Sequence, residues 1–376
     1  MHKLIPIILG SLFLALLSYS QSAYVLDEEG KRFYIKKEKF FFLIMALSMA
    51  VFVGLRTSGN DTTVYRNMYE SIGNDIHNVA DINWRNLSAA PGLQLYSFFL
   101  KSIGATVQDY LMITAFITVG IYLWFIRKYT DNIFLSIFYF ITMGAYTFTM
   151  AAIKQTMAVA FLLIATDAAI QKKWIRYLFW LVIAELFHPY AFIYLVVPLV
   201  TFRPWSKGTR YLLVGAVIAA VFMSRVLTIV DTVTESLGYT NYGMNEFMGA
   251  GVNIFRVMVA WVPLILSFLG RRELQFTDNR EKNIIVNLMM INSVIMFIGL
   301  FGTANYFARL ANYFLIFQTI AFPYILKLFR REIGNILTIM SIAAFSLYYY
   351  YGEGIVNGGF DMNYNFMTLF EYFGQR

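Results

Sequence analysis

Arg56, Asp61 and Arg66 fall within eleven residues, directly after an apolar run from Phe40 to Leu55. Two guanidinium groups and a carboxylate, placed where a helix leaves a membrane, suit a site that grips a charged lipid head group. The planar guanidinium matches phosphate oxygens in pairs, so a diphosphate is the sharper ligand. The plainer role is snorkelling to the interface. Asp61 then serves as a salt-bridge partner of Arg56, as a base, or as an acceptor for a sugar hydroxyl. Lys154-Gln155 lies between two apolar runs, where the lysine either snorkels or meets a lipid phosphate. Glu185 and His188 are spaced i, i+3 and share a face if the chain is helical there. They form either a buried pair that orients a broken helix or a general base, since histidine titrates near neutral pH and a carboxylate raises its basicity. Asn305, Arg309 and Asn312 recur at i, i+4, i+7, with Tyr313 adjacent. A polar stripe inside an apolar helix must face protein or a water-filled cavity, and intramembrane charges are functional candidates by default. Arg256 and Arg225, near the outer ends of their helices, are weaker versions of the same idea.

The elements that position these residues are apolar. Of the 376 residues, 59% are hydrophobic and 14% charged, against about 25% charged in soluble domains. Mean hydropathy is +0.59. Continuous apolar runs near the ~20 residues that cross a bilayer predict an all-α polytopic integral membrane protein, and exclude the alternation of a membrane β-barrel. The net charge of +8 sits in short loops between these runs, which is a topology signal and predicts no nucleic-acid partner. There is no cysteine, which excludes thiolate metal sites and disulfides, and three histidines leave no His-rich metal centre. No metal and no cofactor are expected.

Cytoplasmic placement of the basic loops orders the chain. Met1 to Tyr24 reads as a retained first helix, because its strong charge follows the apolar run rather than preceding it. The loop Asp27 to Lys39 is inside, so Phe40 to Leu55 delivers Arg56 to the outer surface. Residues 56–109 form an outer loop with a short re-entrant or interfacial helix over Leu93 to Ile103. Tyr110 to Ile126 runs in, Ile133 to Met150 out, and Ala151 to Ile170 in. Trp174 to Val200 is followed by Arg203, Lys207 and Arg210, so it must enter and return, as a hairpin broken at His188-Pro189. Residues 231–251, with three acidic residues and no lysine or arginine, form a second outer loop. Asn305 to Leu326 is one crossing. The whole is a single membrane domain, 1–376, of about 11 to 12 transmembrane segments including the broken or re-entrant pair. Arg56, Asp61, Arg66, Lys154, Arg309 and His188 all map to the outer half, where a cationic cavity would handle an anionic, lipid-borne substrate.

In this order, Gly54-Leu55-Arg56, Gly59-Asn60-Asp61-Thr62 with Tyr65, Pro91-Gly92-Leu93, Lys154-Gln155, Phe187-His188-Pro189 with Ala191, and Arg309-Leu310 with Tyr313 resemble the EpsG family. That family belongs with the Wzy-type exopolysaccharide and O-antigen polymerases. The resemblance runs from about Phe40 to Leu326. It implies a metal-independent glycosyltransferase of GT-C-like architecture in the bacterial cytoplasmic membrane, its active site facing outward. Such an enzyme moves a growing glycan from undecaprenyl diphosphate to the non-reducing end of a second lipid-linked repeat. Its partners would be undecaprenyl-diphosphate-linked oligosaccharide, membrane lipid, and the chain-length regulator and flippase of the same pathway. Carried over, Arg56 and Arg309 hold the leaving diphosphate, and His188 or else Asp61 takes the acceptor proton. Arg66, Tyr65, Lys154, Gln155 and Tyr313 complete the substrate site. Lys154 stands where the family pattern calls for arginine, which trades a bidentate fork for a point charge. An O-antigen ligase differs from this reading in its acceptor. A flippase or other transporter would line both halves of its path with charge, and a repeat would be visible; a structural partner of an assembly complex would not need the polar stripe at Arg309.

Overall fold

Why the chain folds as it does is clearest at helix ends. The computed structural model describes residues 3–26, 28, 30, 32–222, 228–229, 232, 236, 251–276, 279–301, 304–356 and 364–374. Arg225, and all of the expected outer loop 231–251 except residues 232, 236 and 251, lie outside them. Helix α1 (Leu4–Ser20) and α2 (Phe40–Gly54) are joined by an antiparallel ribbon, β1 (Ala23–Leu26) and β2 (Arg32–Lys36). After α2 come β3 (Arg56–Ser58), α3 (Thr62–Asp75), α4 (Pro91–Ser102) and α5 (Val107–Tyr129). Pro91 starts α4, where its missing N–H costs nothing. Thr106 and Asp109 close a capping box at the start of α5, and Arg127 and Lys128 occupy its last turn, where cations oppose the helix dipole. Then follow α6 (Ile133–Thr142), α7 (Ala145–Ala151), α8 (Ile153–Ile170), α9 (Trp174–Phe187), a 3-10 segment over Ala191–Val200, and α10 (Lys207–Val221). The last third holds α11 (Ile254–Leu269), α12 (Arg271–Phe276), α13 (Arg280–Ile298), α14 (Ala304–Asn312), α15 (Leu315–Leu326), α16 (Arg331–Tyr349), β4 (Asn365–Phe366) and α17 (Leu369–Gly374). Strand β4 returns across the chain to pair with β3, setting Phe366 opposite Arg56.

Helices α5, α8, α13 and α16, the last continued by a π-helical stretch to Val356, are long and apolar enough to cross a membrane. Helices α6 and α7, bent by 50°, are long and apolar enough only as a pair, as a broken span or a re-entrant loop. Five shorter apolar segments accompany them: α1, α2, Ala191–Val200, α11 and α15. The chain is an all-α polytopic membrane protein. Among the described residues, two runs that are continuous in sequence are divided in space. Ile133 to Met150 divides at Gly144, whose φ of +83° is left-handed and glycine-friendly. Asn305 to Leu326 divides at Tyr313-Phe314. The expected mixed loop of 56–109 contains a full amphipathic helix, α3, beside the short helix α4.

The segment Trp174 to Val200 turns back on itself. Helix α9 ends at His188, and the Tyr177 hydroxyl near its start donates to the carbonyl of Tyr194 on the second arm. A single kinked crossing would carry Tyr194 away from Tyr177. Beyond the hairpin, Arg203 donates to the Gln275 carbonyl (3.4 Å), Gln275 to the Trp205 carbonyl (3.0 Å), and Asn287 to the carbonyls of Val200 and Phe202. Residues 200–205 therefore lie beside the loop that begins α13.

That end of the bundle is basic, and its half-buried cations are bonded. Lys37 and Arg127 exchange hydrogen bonds with each other's backbone carbonyls, and burial pushes the Lys37 ammonium down to about 8. Lys282 meets Asp131 at 2.7 Å and Lys327 donates to the Asp131 carbonyl at 2.9 Å. Buried Asp167 takes Lys128, the Tyr129 hydroxyl and Gln171.

Two outcomes follow. The chain has no cysteine, so single cysteines report cleanly: Lys207→Cys and Arg272→Cys should react with an impermeant thiol reagent from one side of the membrane, and Asn67→Cys from the other. Asp167→Leu removes the acceptor of two charged or phenolic donors and should cost about 2 kcal/mol, discounted because Lys128 is partly exposed. Thermal unfolding in detergent would show it, with Asp167→Asn milder.

Candidate functional site

The loop after α2 folds inward. Arg56 is 1% exposed; its Nη1 donates to the Val53 carbonyl at 2.6 Å and its Nε to Thr62 Oγ1 at 3.3 Å. Loss of water draws its pKa down to about 10, which leaves it protonated at neutral pH. Of the roles open to Asp61, the salt bridge with Arg56 is not formed. Asp61 is the exposed N-cap residue of α3, while Arg56 points the other way, into the fold. Between them Gly59 adopts φ +105°, and a Cβ there would fall 2.2 Å from the Tyr364 ring. Asn60 bonds the Tyr364 hydroxyl at 2.7 Å. Half-buried Arg66 donates to Gln108 at 3.0 Å, and Gln108 in turn holds the carbonyls of Gly54 and Arg56. Arg56 and Arg66 thus fasten α2, α3 and α5 together at the end remote from the basic loops.

Buried Tyr65, one turn after Asp61, accepts the backbone N–H of Lys154 at the start of α8 (3.3 Å). Gln155 is 1% exposed and donates to the carbonyl of Arg309 at 2.5 Å. The Lys154 and Arg309 charges both act on the His188 ring. Among the described residues neither cation has a side-chain hydrogen bond or ion pair. His188 is 7% exposed, and its Nδ1 lies 2.6 Å from the Tyr313 hydroxyl. Glu185 does not pair with it. His188 has φ −152° and ψ 129°, outside the helix, so i, i+3 spacing no longer brings the two together. The Glu185 carboxylate takes the backbone N–H of Phe192 instead.

The break that frees Tyr313 is held by donors from elsewhere. A helix end leaves carbonyls without partners. Here Gln155 takes the carbonyl of Arg309, Asn292 that of Ala311 (2.6 Å), and the Tyr194 hydroxyl that of Tyr313 (2.7 Å). Asn292 and Tyr194 went unnoticed in sequence. Asn292 belongs to a polar seam in α13, with Asn287 and Ser293, that Gln318 joins at 2.9–3.0 Å to Asn292 and Ser293. Polar residues inside an apolar run were the signal that could have found them.

A cavity of about 520 Å³ opens beside the cluster. Gly144 at the α6–α7 bend, Ala151, Arg256, Asn312 and Tyr348 line it. Ala151 ends α7, just before the break that precedes Lys154, and Asn312 is one turn after Arg309. The structure therefore brings Lys154, Gln155, His188, Arg309, Tyr313 and Tyr65 together, with Arg56 behind Tyr65. Asp61 and Arg66 stand apart on α3, and the Asn305 side chain lies outside the described residues. Among the described residues no three His, Asp or Glu side chains group as metal ligands.

Neither a curated protein nor a solved structure matches the chain. The model of the EpsG family matches residues 39–366, from the residue before α2 to the strand that pairs with Arg56. That match covers most of the chain and every residue of the cluster, and the chain belongs to the EpsG family.

Proposed function

We propose that the cluster transfers a glycan from one lipid-linked diphosphate to a hydroxyl of another, as a polymerase of exopolysaccharide repeat units. Membership of the EpsG family is consistent with a Wzy-like polymerase. The observation that carries the reading is the pair of unpartnered cations, Lys154 and Arg309, set around the buried His188–Tyr313 hydrogen bond beside a cavity. Two like charges that both reach one ring repel each other, so the pair points to an anion that is bound only during work.

In the reaction the acceptor hydroxyl oxygen attacks the anomeric carbon of the donor. The anomeric carbon–oxygen bond to phosphate breaks, and its electron pair leaves with undecaprenyl diphosphate. Arg309 and Lys154 offset the charge that develops there, as fixed cations in place of a divalent ion. With Nδ1–H donating to the Tyr313 hydroxyl, His188 Nε2 is free to take the acceptor proton. Gln155 holds the Arg309 backbone in place. Arg56, buried and bonded to Val53 and Thr62, acts as a positioning residue, so the diphosphate contact expected of it passes to Arg309 and Lys154. Asp61, exposed at the start of α3, is not needed as the base. The site would face the outside of the bacterial cytoplasmic membrane, with a flippase delivering substrate and a chain-length regulator as neighbour. A flippase reading finds less support, since the half-buried cations Lys37, Arg127, Lys282 and Lys327 of the opposite end are held by carboxylates and carbonyls.

Cells deleted for this gene and complemented with variants supply the test, read as surface polysaccharide on a gel. Arg309→Ala should lower polymer formation about 100-fold, the usual loss of one developing-charge contact, and Arg309→Lys should recover part of it. His188→Ala should cost between about 100- and 10,000-fold. Asp61→Asn should leave the ladder within a factor of about three, below 1 kcal/mol. A full ladder from stably expressed Arg309→Ala would contradict the reading.

A further inference from the structure

Helices α11 and α16 both rest on α15, and a groove of about 790 Å³ opens between them. Its walls include Phe255, Met258, Val262 and Ile265 on α11, and Leu347 and Tyr351 on α16. It follows α11 from Ile254 to Ile265. At 1.5 Å per residue that is about 16 Å, the depth of one leaflet of a ~30 Å hydrocarbon core. At its head the groove is not closed. Phe255, Tyr348 and Tyr351 line both the groove and the polar cavity beside the catalytic cluster. Arg256, the next residue after Phe255, lines only the polar side. It is exposed, and among the described residues it has no side-chain hydrogen bond or ion pair.

An apolar slot one leaflet deep that ends at an unpartnered guanidinium fits an amphiphile with a long hydrocarbon tail and an anionic head. The guanidinium binds two phosphate oxygens at once, which favours a diphosphate. The transfer reaction uses two such lipids, and Lys154 and Arg309 are committed to the one whose bond breaks. We propose that the α11–α16 groove and Arg256 seat the tail and diphosphate of the acceptor, a polyprenyl-diphosphate-linked saccharide, whose sugars extend into the 520 Å³ cavity that Asn312, one turn from Arg309, lines. This assignment rests on the polymerase reading for the second lipid, while the groove and its cation stand on geometry alone.

The experiment separates the two. Purified protein in lipid nanodiscs is mixed with a polyprenyl diphosphate carrying a diazirine in its tail and is then illuminated. Labelling should fall on α11 and α16, and should drop about tenfold with Arg256→Ala, the loss of one charged hydrogen-bonding partner. Val262→Trp, which fills the groove, should reduce it similarly. Melting temperatures equal to wild type exclude misfolding. Kinetics then use a donor whose non-reducing end is blocked and an acceptor whose diphosphate is a non-cleavable phosphonate. Arg256→Ala should raise KM for the acceptor about tenfold and leave KM for the donor unchanged.

A rise in donor KM instead, or in neither, would overturn the assignment. So would displacement of the label by an equal concentration of phosphatidylglycerol, which would make the groove an ordinary phospholipid contact. Labelling of the groove in a protein that makes no product from the two substrates would retain the lipid site and remove the polymerase reading.

Discussion

The hydrogen bond between Tyr313 and His188 joins two interruptions of helices that would otherwise cross the membrane. Irregular backbone at that depth is tolerated only where protein or a cavity satisfies it. Each broken end depends on partners from the other elements. The Tyr177 hydroxyl holds the carbonyl of Tyr194, Tyr194 holds that of Tyr313, and Tyr313 holds His188. Gln155 and Asn292 take the remaining carbonyls of α14. This chain fixes the imidazole near Lys154 and Arg309. The bend at Gly144 and the end of α14 at Asn312 both line the polar cavity.

Charge is divided between the two ends of the molecule. At one end Asp131, Asp167 and several backbone carbonyls take up Lys37, Arg127, Lys128, Lys282 and Lys327. Those contacts tie loops together and anchor topology. At the other end Arg56 and Arg66 are absorbed into the fold through Val53, Thr62 and Gln108. Lys154, Arg309 and Arg256 are not. On the proposed reading, the first group builds the structure and the second is kept for an anionic ligand. A single buried arginine can do the first job well because its five donors reach several carbonyls at once.

Much of this was legible in the sequence, for local reasons. The limits of α2 follow from its apolar run, and the hairpin at His188-Pro189 from a proline combined with the charge of Arg203, Lys207 and Arg210. The clustering of Lys154, His188 and Arg309 followed from their shared place in the outer half of the topology. What escaped was non-local. Nothing between Asn305 and Leu326 signals a break at Tyr313, because the donors that stabilise it sit on α8, on α13 and on the return arm of the hairpin. Glu185 was paired with His188 by helical spacing, which fails once His188 leaves the helix. Arg56 looked like an interfacial ligand because a sequence shows that a cation follows an apolar run, but not that a returning strand, β4, closes over it.

The central claim is that one cluster both takes the acceptor proton and releases a lipid diphosphate. Its most direct measurement is the stoichiometry of a reconstituted reaction, with purified protein, lipid-linked repeat units and simultaneous readout of new glycosidic linkages and free undecaprenyl diphosphate. The account predicts one diphosphate released for each linkage formed, with both signals lost together in the Arg309→Ala protein. Movement of lipid-linked repeats across the bilayer with neither signal, or linkages formed at the wild-type rate by the Arg309→Ala protein, would contradict it.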